Sequence, residues 1–157
     1  MLCGYKAVQL PSNPEGTIDV AKLESAMDEE TAAIMLTNPN TLGMFEKDIL
    51  KITEIVHKKG GLVYCDGANF NAIMGIAKMG DMGIDVMHIN LHKTFSTPHG
   101  GGGPGAGPVC IKHILEPYLP APVVEKVGSK YQLNADRPKS IGRMKSFNGN
   151  FGMLLRA

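Results

Sequence analysis

The sequence predicts an α/β domain built on a mostly parallel sheet with flanking helices. Short apolar runs, which suit buried strands, alternate along the chain with segments whose apolar residues recur at helical spacing. Successive runs are separated by about one helix, and strands joined in this way form right-handed crossovers in a parallel sheet. The length of 157 residues suits one domain of ordinary size, or a large part of one.

Strand and helix signals can be placed in order along the chain. The predicted strands are residues 5–10, 32–36, 62–65 and 86–91, and a further short apolar stretch covers residues 109–111. The predicted helices are residues 20–27, which Asp19 can cap, and residues 46–59, which end at two glycines. The runs at 32–36, 62–65 and 86–91 show little alternation, which predicts inner strands covered on both faces.

The composition excludes several classes of protein. Sixteen basic and fifteen acidic residues leave a formal net charge of +1, which gives no electrostatic basis for a nucleic-acid binder. No apolar run approaches the ~18 residues of a membrane span, and the first residues lack the pattern of a signal peptide. The cysteines, Cys3, Cys65 and Cys110, are widely spaced and odd in number, so neither a disulfide framework nor a structural zinc site is expected. We therefore expect a protein of a reducing compartment.

Two motifs have a simpler structural interpretation than their usual functional one. The glycine run contains G-x-G-x-x-G at Gly100, Gly102 and Gly105, but two prolines interrupt the place where a dinucleotide-binding helix would begin. His88 and His92 are four residues apart, as two metal ligands on one helix face would be. Their segment alternates instead, which predicts that the two histidines share one face of a strand. We therefore expect no metal site.

Polar residues follow three of the predicted strands. They are Asn38 and Asn40 after the first, Asp66 and Asn69 after the second, and His92 and Lys93 after the third. The carboxyl ends of parallel strands meet at one edge of the sheet, where ligands bind in this class of fold. Taken singly, Asp66 could be a turn acid and Lys93 a surface lysine. Together they suit pyridoxal phosphate, because the lysine can bind the aldehyde as a Schiff base while the acid keeps the pyridine nitrogen protonated.

Four segments resemble the glycine decarboxylase P-protein family, with the better match to its carboxyl-terminal half, or subunit 2 where the enzyme is split. They are residues 36–43 (LTNPNTLG), 64–72 (YCDGANFNA), 90–105 (NLHKTFSTPHGGGGPG) and 140–143 (SIGR). The resemblance extends over essentially the whole chain, and the lysine–glycine segment is its most specific part. It implies the large domain of fold type I, the aspartate-aminotransferase-like pyridoxal-phosphate enzymes. Cys110 stands where the family pattern leads us to expect glycine.

The resemblance also implies roles for individual residues. Lys93 is implied to be the Schiff-base lysine, and Asp66 the partner of the pyridinium nitrogen. His92, next to that lysine, is a candidate for contact with the cofactor phosphate or ring. Asn69 and Asn40 are candidates for the phenolic oxygen, by analogy with related fold type I enzymes. No metal ligand is implied.

The activity implied by the resemblance is the decarboxylation of glycine in the glycine cleavage system. Glycine would lose its carboxylate as carbon dioxide, and the aminomethyl group would pass to the lipoyl arm of the H-protein, whose disulfide is reduced. The implied partners are glycine, the lipoylated H-protein, and subunit 1 or the amino-terminal half of the P-protein. We expect an oligomer that binds neither nucleic acid nor membrane. Its expected location is the cytoplasm in a bacterium or archaeon and the mitochondrion in a eukaryote.

Family members are much longer than this chain, so we expect a partial large domain. Residues 1–115 are predicted to form the α/β core with the cofactor motifs. Residues 116–157 are predicted to be a mostly irregular tail, rich in proline and basic residues, that leads towards a small domain outside the chain.

Two alternative functions stay open at this point. One is another fold type I enzyme, a cysteine desulfurase or an aminotransferase. A desulfurase needs a nucleophilic cysteine on a mobile loop, whereas Cys65 is predicted to lie in a strand and Cys110 in a short apolar run. The other alternative is a truncated chain without catalytic activity.

Overall fold

The computed structural model describes residues 3–95, 97, 99, 105–144 and 149–157. Within these ranges the chain forms a four-stranded sheet and a separate two-stranded hairpin. The strands are β1 (Ala33–Thr37), β2 (Leu62–Gly67), β3 (Val86–Ile89), β4 (Val109–Ile111), β5 (Val123–Val127) and β6 (Lys130–Asn134).

The helices are short and lie before, between or after the strands along the chain. They are α1 (Val20–Ala26), α2 (Ile49–Lys58), α3 (Leu91–Thr94) and α4 (Phe151–Arg156), together with two 3₁₀ segments, Phe70–Ala72 and His113–Tyr118. None of the helices in the described ranges is long and apolar enough to cross a bilayer.

The main sheet has the strand order β1-β2-β3-β4. Strands β1, β2 and β3 are parallel, as predicted, and β4 runs antiparallel to β3. The register places Thr37 beside Asp66 and Asp66 beside His88. Because the three parallel strands share one direction, the residues that follow them emerge at the same edge of the sheet.

Helices α1 and α2 confirm the local signals of the sequence. The carboxylate of Asp19 accepts a hydrogen bond of 3.1 Å from the backbone N–H of Lys22 and so caps α1. Helix α2 buries Ile52 and Val56 completely, because residues four apart lie on one face of a helix. The chain leaves α2 through Gly60, whose φ of +81° is a left-handed conformation that favours glycine.

The apolar core lies on one face of the main sheet. Along β2 the buried residues Val63 and Cys65 alternate with the half-buried Tyr64 and Asp66. The core side of β2 packs with residues of α1 and α2 in a single cluster. On the opposite face of β2, Tyr64 and Asp66 are therefore partly exposed to solvent.

Residues 32–36 were predicted to form an inner strand covered on both faces; among the described residues they lie at an edge of the sheet, and their cover in a larger domain stays a prediction. β1 is the outermost strand of the described sheet, and Met35 is 68% exposed, whereas Leu36 is buried. The run is uniformly apolar, but successive residues of a strand point to opposite faces. The described helices cover the face of Leu36. Strands β2 and β3 do lie inside the described sheet, as predicted.

Two predicted strand assignments also differ from the structure. Residues 5–10 form no strand, and Tyr5 and Val8 are exposed, because no neighbouring strand among the described residues pairs with them. β3 ends at Ile89 instead of continuing through residue 91. The backbone N–H groups of Lys93 and Thr94 both donate to the carbonyl of Asn90, which turns the chain into α3.

The ending of β3 also corrects the prediction for the two histidines. His88 lies in β3 and His92 lies in α3, so they do not share one face of a strand. The described residues contain no cluster of three or more His, Cys, Asp or Glu side chains that could hold a metal ion.

The region after residue 115 is more ordered than the sequence predicted. Strands β5 and β6 form an antiparallel hairpin that turns at Gly128, whose φ is +63°. The guanidinium of Arg137 donates to the Glu116 side chain and to its carbonyl oxygen, and thereby ties the segment after the hairpin to the 3₁₀ segment before it. Pro117, Pro120 and Pro122 precede this hairpin and Pro138 follows it, so no proline interrupts β5 or β6. The domain boundary near residue 115 stays a prediction.

Candidate functional site

The carboxyl edge of the parallel strands gathers most of the site residues predicted from the sequence. Asp66 lies near the end of β2, and Lys93 lies in α3, four residues beyond the end of β3. Helix α3 also contacts the 3₁₀ segment Phe70–Ala72 that follows β2. The topology therefore brings the acid and the lysine to one edge, as predicted.

Asp66 is held in a defined orientation by its local backbone. Its Oδ1 accepts a hydrogen bond of 2.9 Å from the backbone N–H of Ala68 and lies 3.3 Å from Nε2 of His88. The Asp66 side chain is 29% exposed. Since both contacts are made by Oδ1, the other carboxylate oxygen is available to a ligand at the open edge.

Gly67 explains why the acid is followed by glycine. A Cβ atom built at Gly67 would overlap the carbonyl oxygen of His88 in the neighbouring strand. Only glycine permits this approach of β2 to β3. The Asp-Gly pair is thus more than a turn signal, because it brings Asp66 against the end of β3.

Lys93 is exposed at the same edge. Its backbone N–H donates to the carbonyl of Asn90 at 3.0 Å, which fixes the main chain at the start of α3. The side chain is exposed to solvent. An amine in this position is accessible to an incoming aldehyde.

His92 provides a buried polar atom that has no hydrogen-bond partner among the described residues. Its Nδ1 is buried and makes no hydrogen bond with the described residues, and its ring packs edge to face on His99 with 4.1 Å between the centroids. Burial lowers the pKa of His92, and the positive charges of His99 and Lys93 lower it further. His92 is therefore a neutral ring near neutral pH. A Cβ atom at Gly105 would lie 2.9 Å from Nδ1, so glycine lets the backbone pack closely against this side of the ring.

Two hydroxyl groups near the lysine were missed by the sequence analysis. Oγ1 of Thr94 and Oγ1 of Thr97 are buried and have no hydrogen-bond partner in the part of the chain that the structure describes. A buried hydroxyl without a partner costs roughly 1–3 kcal/mol, so such groups point to a ligand. Their closeness in sequence to Lys93 was the available signal. The glycines at 100–103 lie outside the described residues.

The two asparagines predicted to contact a cofactor make hydrogen bonds to loops. The Nδ2 of Asn69 donates to the carbonyl of Pro39 at 2.9 Å. The Nδ2 of Asn40 donates to the carbonyl of Gly16, and its Oδ1 accepts from the backbone of Leu42. The Asn69 contact joins the loops after β1 and β2, and the Asn40 contacts join the loop after β1 to the segment before α1. Their direct roles towards a cofactor stay predictions.

Asn38 is a further candidate that the sequence analysis named only as part of a polar cluster. It is 1% exposed, and its Oδ1 accepts a hydrogen bond of 3.0 Å from the backbone N–H of Glu46. Its Nδ2 is buried and has no partner among the described residues. A free amide donor at the end of β1 is better suited to a ligand than the occupied amides of Asn40 and Asn69.

His88 and Tyr64 complete the polar face of the sheet, and sequence reasoning missed both. The Oη of Tyr64 lies 2.7 Å from Nδ1 of His88, and the two rings are stacked with 6.0 Å between the centroids. Burial raises the pKa of Tyr64, and the nearby charge of Asp66 raises it further, so the phenol stays protonated. Period-2 alternation with Asp66 places Tyr64 on this face, but the neighbour of Asp66 on β3 depends on strand register.

Comparisons with known proteins agree with this description. A family model described as aminotransferase class-V matches residues 1–124. Proteins named probable glycine dehydrogenase (decarboxylating) subunit 2, from Alkaliphilus oremlandii and Pyrococcus furiosus, are 56% and 58% identical to the chain. Each alignment covers 99% of this chain and 32% of the relative, so the chain spans about a third of the relatives' length.

Solved structures confirm the predicted fold class. A cysteine desulfurase from Thermococcus onnurineus matches with a TM-score of 0.63 and 20% identity, over 96% of this chain and 36% of that chain. A cysteine desulfurase from Escherichia coli matches with a TM-score of 0.60 and 22% identity, over 95% and 37% of the two chains. The shared architecture is the α/β large domain of fold type I.

Proposed function

We propose a glycine-decarboxylating function for this chain, which belongs to the aminotransferase class-V family. Enzymes of this family depend on pyridoxal phosphate, and the chain would hold that cofactor as part of a larger enzyme. The choice of glycine is supported by the names of the relatives at 56–58% identity. The observation that carries the proposal is the fixed carboxylate of Asp66 at the same sheet edge as the exposed amine of Lys93.

The residues present fit the chemical groups of this cofactor. An aldehyde needs an accessible amine, and Lys93 is exposed. A protonated pyridine nitrogen needs a fixed carboxylate, and one oxygen of Asp66 already anchors it to the backbone of Ala68. A phosphate needs hydrogen-bond donors, and the buried Nδ1 of His92 and the Thr94 hydroxyl have no partner among the described residues.

Each of these residues has a distinct task in the proposed reaction. When bound, pyridoxal phosphate would supply an electron sink for the electron pair that stays on the α-carbon of glycine when carbon dioxide leaves. Lys93 would hold the cofactor through its amine, which the amino group of glycine would displace. Asp66 holds a proton at the ring nitrogen by its negative charge. His92, being neutral, can donate a hydrogen bond without adding a positive charge to the site.

The wider assembly is also part of the proposal. The relatives are named as second subunits, which supports a first subunit as partner. Glycine as substrate, the lipoylated H-protein as acceptor of the aminomethyl group, and a cytoplasmic location in a bacterium or archaeon rest on the family resemblance. An oligomer is supported by the exposed apolar side chains Met35 and Val109, which alternation and register place on the same open face of the sheet. Sedimentation of the chain should show association, and a monomer would contradict this part.

The cysteines do not favour a desulfurase. Cys65 is completely buried in the core, and burial raises the pKa of its thiol. Cys110 is exposed, but it is held in β4 opposite Met87 rather than on a loop. A thiol acts as a nucleophile only when it is accessible as thiolate and can reach the substrate.

Two measurements on the assembled enzyme that contains this chain test the proposal. Borohydride reduction with bound pyridoxal phosphate, followed by peptide mapping, should place the label on Lys93. A label on Lys78 or Lys112 would exclude that assignment. Exchange of labelled bicarbonate into the carboxylate of glycine should then occur, and should be lost in Lys93→Ala. Cofactor labelling without exchange would favour another fold type I reaction.

A further inference from the structure

The half-buried face of the sheet carries a chain of contacts that ends on Asp66. Tyr64 Oη lies 2.7 Å from His88 Nδ1. On the other side of the ring, His88 Nε2 lies 3.3 Å from Asp66 Oδ1 and makes a hydrogen bond of 3.3 Å with Asn90 Oδ1. The side chains of His88 and Asp66 are 21% and 29% exposed, so these contacts are only partly screened by water.

The chemistry of the contacts assigns the proton on the ring. An ionised carboxylate only accepts hydrogen bonds, and Nε2 also faces the amide oxygen of Asn90. Nε2 must therefore carry a hydrogen. In the Nε2–H tautomer Nδ1 is an acceptor, and the phenol of Tyr64, which stays protonated, is the donor that this tautomer requires.

We propose that His88 is a positioning residue for Asp66, held in the Nε2–H tautomer by Tyr64. The inference rests on the proposed function, in which Asp66 faces the ring nitrogen of the cofactor. The Nε2–H group, which is hydrogen-bonded to Asn90, lies 3.3 Å from Oδ1 of Asp66 and stabilises the carboxylate as an anion by its partial positive charge. Asp66 then presents its second oxygen and its whole negative charge to the cofactor.

The strand register supports this role over an incidental contact. Asp66 and His88 are direct neighbours on β2 and β3, and a Cβ atom at Gly67 would overlap the carbonyl oxygen of His88. The close approach of the two strands thus sets the distance between imidazole and carboxylate. On the other side, the register places Val109 of β4 beside His88, and valine offers no competing polar group.

The test uses a matched pair of substitutions at His88 in the assembled enzyme. Glutamine can place an N–H near the position of Nε2, whereas methionine has a similar length and no donor. We expect His88→Met to raise the dissociation constant of pyridoxal phosphate by at least ~10-fold and His88→Gln by no more than ~3-fold, the scale of one hydrogen bond to a charged group. Equal losses in the two folded variants would overturn the proposal.

A double-mutant cycle separates an action through Asp66 from a merely structural role. In the Asp66→Asn background, His88→Met should change the dissociation constant by less than ~2-fold, because the carboxylate on which His88 acts is gone. An undiminished effect of His88→Met in that background would overturn the proposal. If Asp66→Asn itself leaves cofactor binding and its absorbance band unchanged, the proposed function fails instead.

The tautomer can be read in the unsubstituted protein, so the test does not depend on whether a variant folds. Nitrogen-15 NMR of the histidine rings without cofactor should show His88 with its proton on Nε2. Tyr64→Phe should reduce the population of that tautomer, and Asp66→Asn should shift the Nε2 resonance. A proton on Nδ1 in the unsubstituted protein would overturn the proposal.

Discussion

The two edges of the main sheet each carry an aspartate–histidine pair. The pairs differ in how many oxygens of the carboxylate make contacts. At the amino edge, Asp85 lies just before β3 and is 5% exposed. Its Oδ2 accepts a hydrogen bond of 2.8 Å from the backbone N–H of Val63 and lies 2.7 Å from Nε2 of His57. Its Oδ1 lies 3.5 Å from Nζ of Lys112. At the carboxyl edge, the contacts of Asp66 with Ala68 and His88 both involve Oδ1 alone.

The difference shows how to separate a structural carboxylate from a functional one. Both oxygens of Asp85 are engaged, and its backbone joins β2 and β4 through Val63 and Lys112. Burial alone would raise the pKa of Asp85, but the hydrogen bond from His57, the backbone N–H of Val63 and the charge of Lys112 together lower it. Both carboxylate oxygens of Asp85 therefore have partners within the protein. Asp66 is anchored through Oδ1 only, and its second oxygen, which makes neither contact, marks the candidate site.

The largest effect expected from this contrast is on turnover. Asp66→Asn keeps an oxygen that can accept from Ala68 but removes the negative charge offered to the cofactor. We expect turnover of the assembled enzyme to fall at least ~10²-fold, on the order of 3 kcal/mol of barrier, with partial retention of cofactor binding. Asp85→Asn is the matched control and should keep turnover per folded molecule. Near-normal turnover in Asp66→Asn would show that Asp66 is only a turn residue.

The amino edge should respond in stability rather than in chemistry. Asp85→Ala leaves the backbone N–H of Val63 and the ring of His57 without their acceptor. We expect a loss of about 2–4 kcal/mol in the free energy of unfolding, measured by urea denaturation. Asp81→Ala, at an exposed acid nearby, should change it by no more than ~0.5 kcal/mol. Similar values for the two variants would contradict the structural role of Asp85.

The pH dependence of stability should also distinguish the amino edge. The pKa of Asp85 is lowered in the folded protein, so its stabilisation is fully present above the pKa of an unfolded aspartate, about 4. It is lost as the pH falls from there through the lowered folded-state pKa. The difference in unfolding free energy between the unsubstituted protein and Asp85→Asn should therefore shrink below about pH 4. A difference in unfolding free energy that grows below about pH 4 would contradict a lowered pKa of Asp85 in the folded protein.

The smallest effect should come from Lys112. Its Nζ is 3.5 Å from the carboxylate and its side chain is 36% exposed, so water screens the pair. Lys112→Met should cost no more than ~1 kcal/mol of unfolding free energy, as is typical of exposed ion pairs. A loss as large as that of Asp85→Ala would mean that the amino edge is held by charge and not by the hydrogen bonds to Val63 and His57.

Much of the fold was predictable because its signals are local. The capping of α1 by Asp19 and the buried spacing of Ile52 and Val56 in α2 depend on residues within a few positions of each other. Features that depend on what packs beside an element could not be predicted from local signals. Residues 5–10 are apolar enough for a strand but have no partner among the described strands. Residues 32–36 are apolar throughout, but the described helices cover β1 on one face only.

The candidate site likewise contains residues that the sequence predicts and residues that only the structure reveals. Asp66 and Lys93 were found because each follows a strand and because the segments around them resemble a known family. Asn38 was passed over in favour of Asn40 and Asn69, since only the structure shows which amide has a free donor. The position of an asparagine in a turn does not show which of its side-chain atoms have hydrogen-bond partners.

The amino-acid sequence by itself determined the alternation of strands and helices, the parallel direction of the first three strands, and the edge at which polar residues collect. These follow from spacing and from the handedness of crossover connections. Only the tertiary structure decided that His88 faces Asp66 and that His57 faces Asp85. Each pair joins residues far apart in the chain. The distance between them is set by strand register and by the packing of α2, which cannot be deduced from any single segment of the sequence.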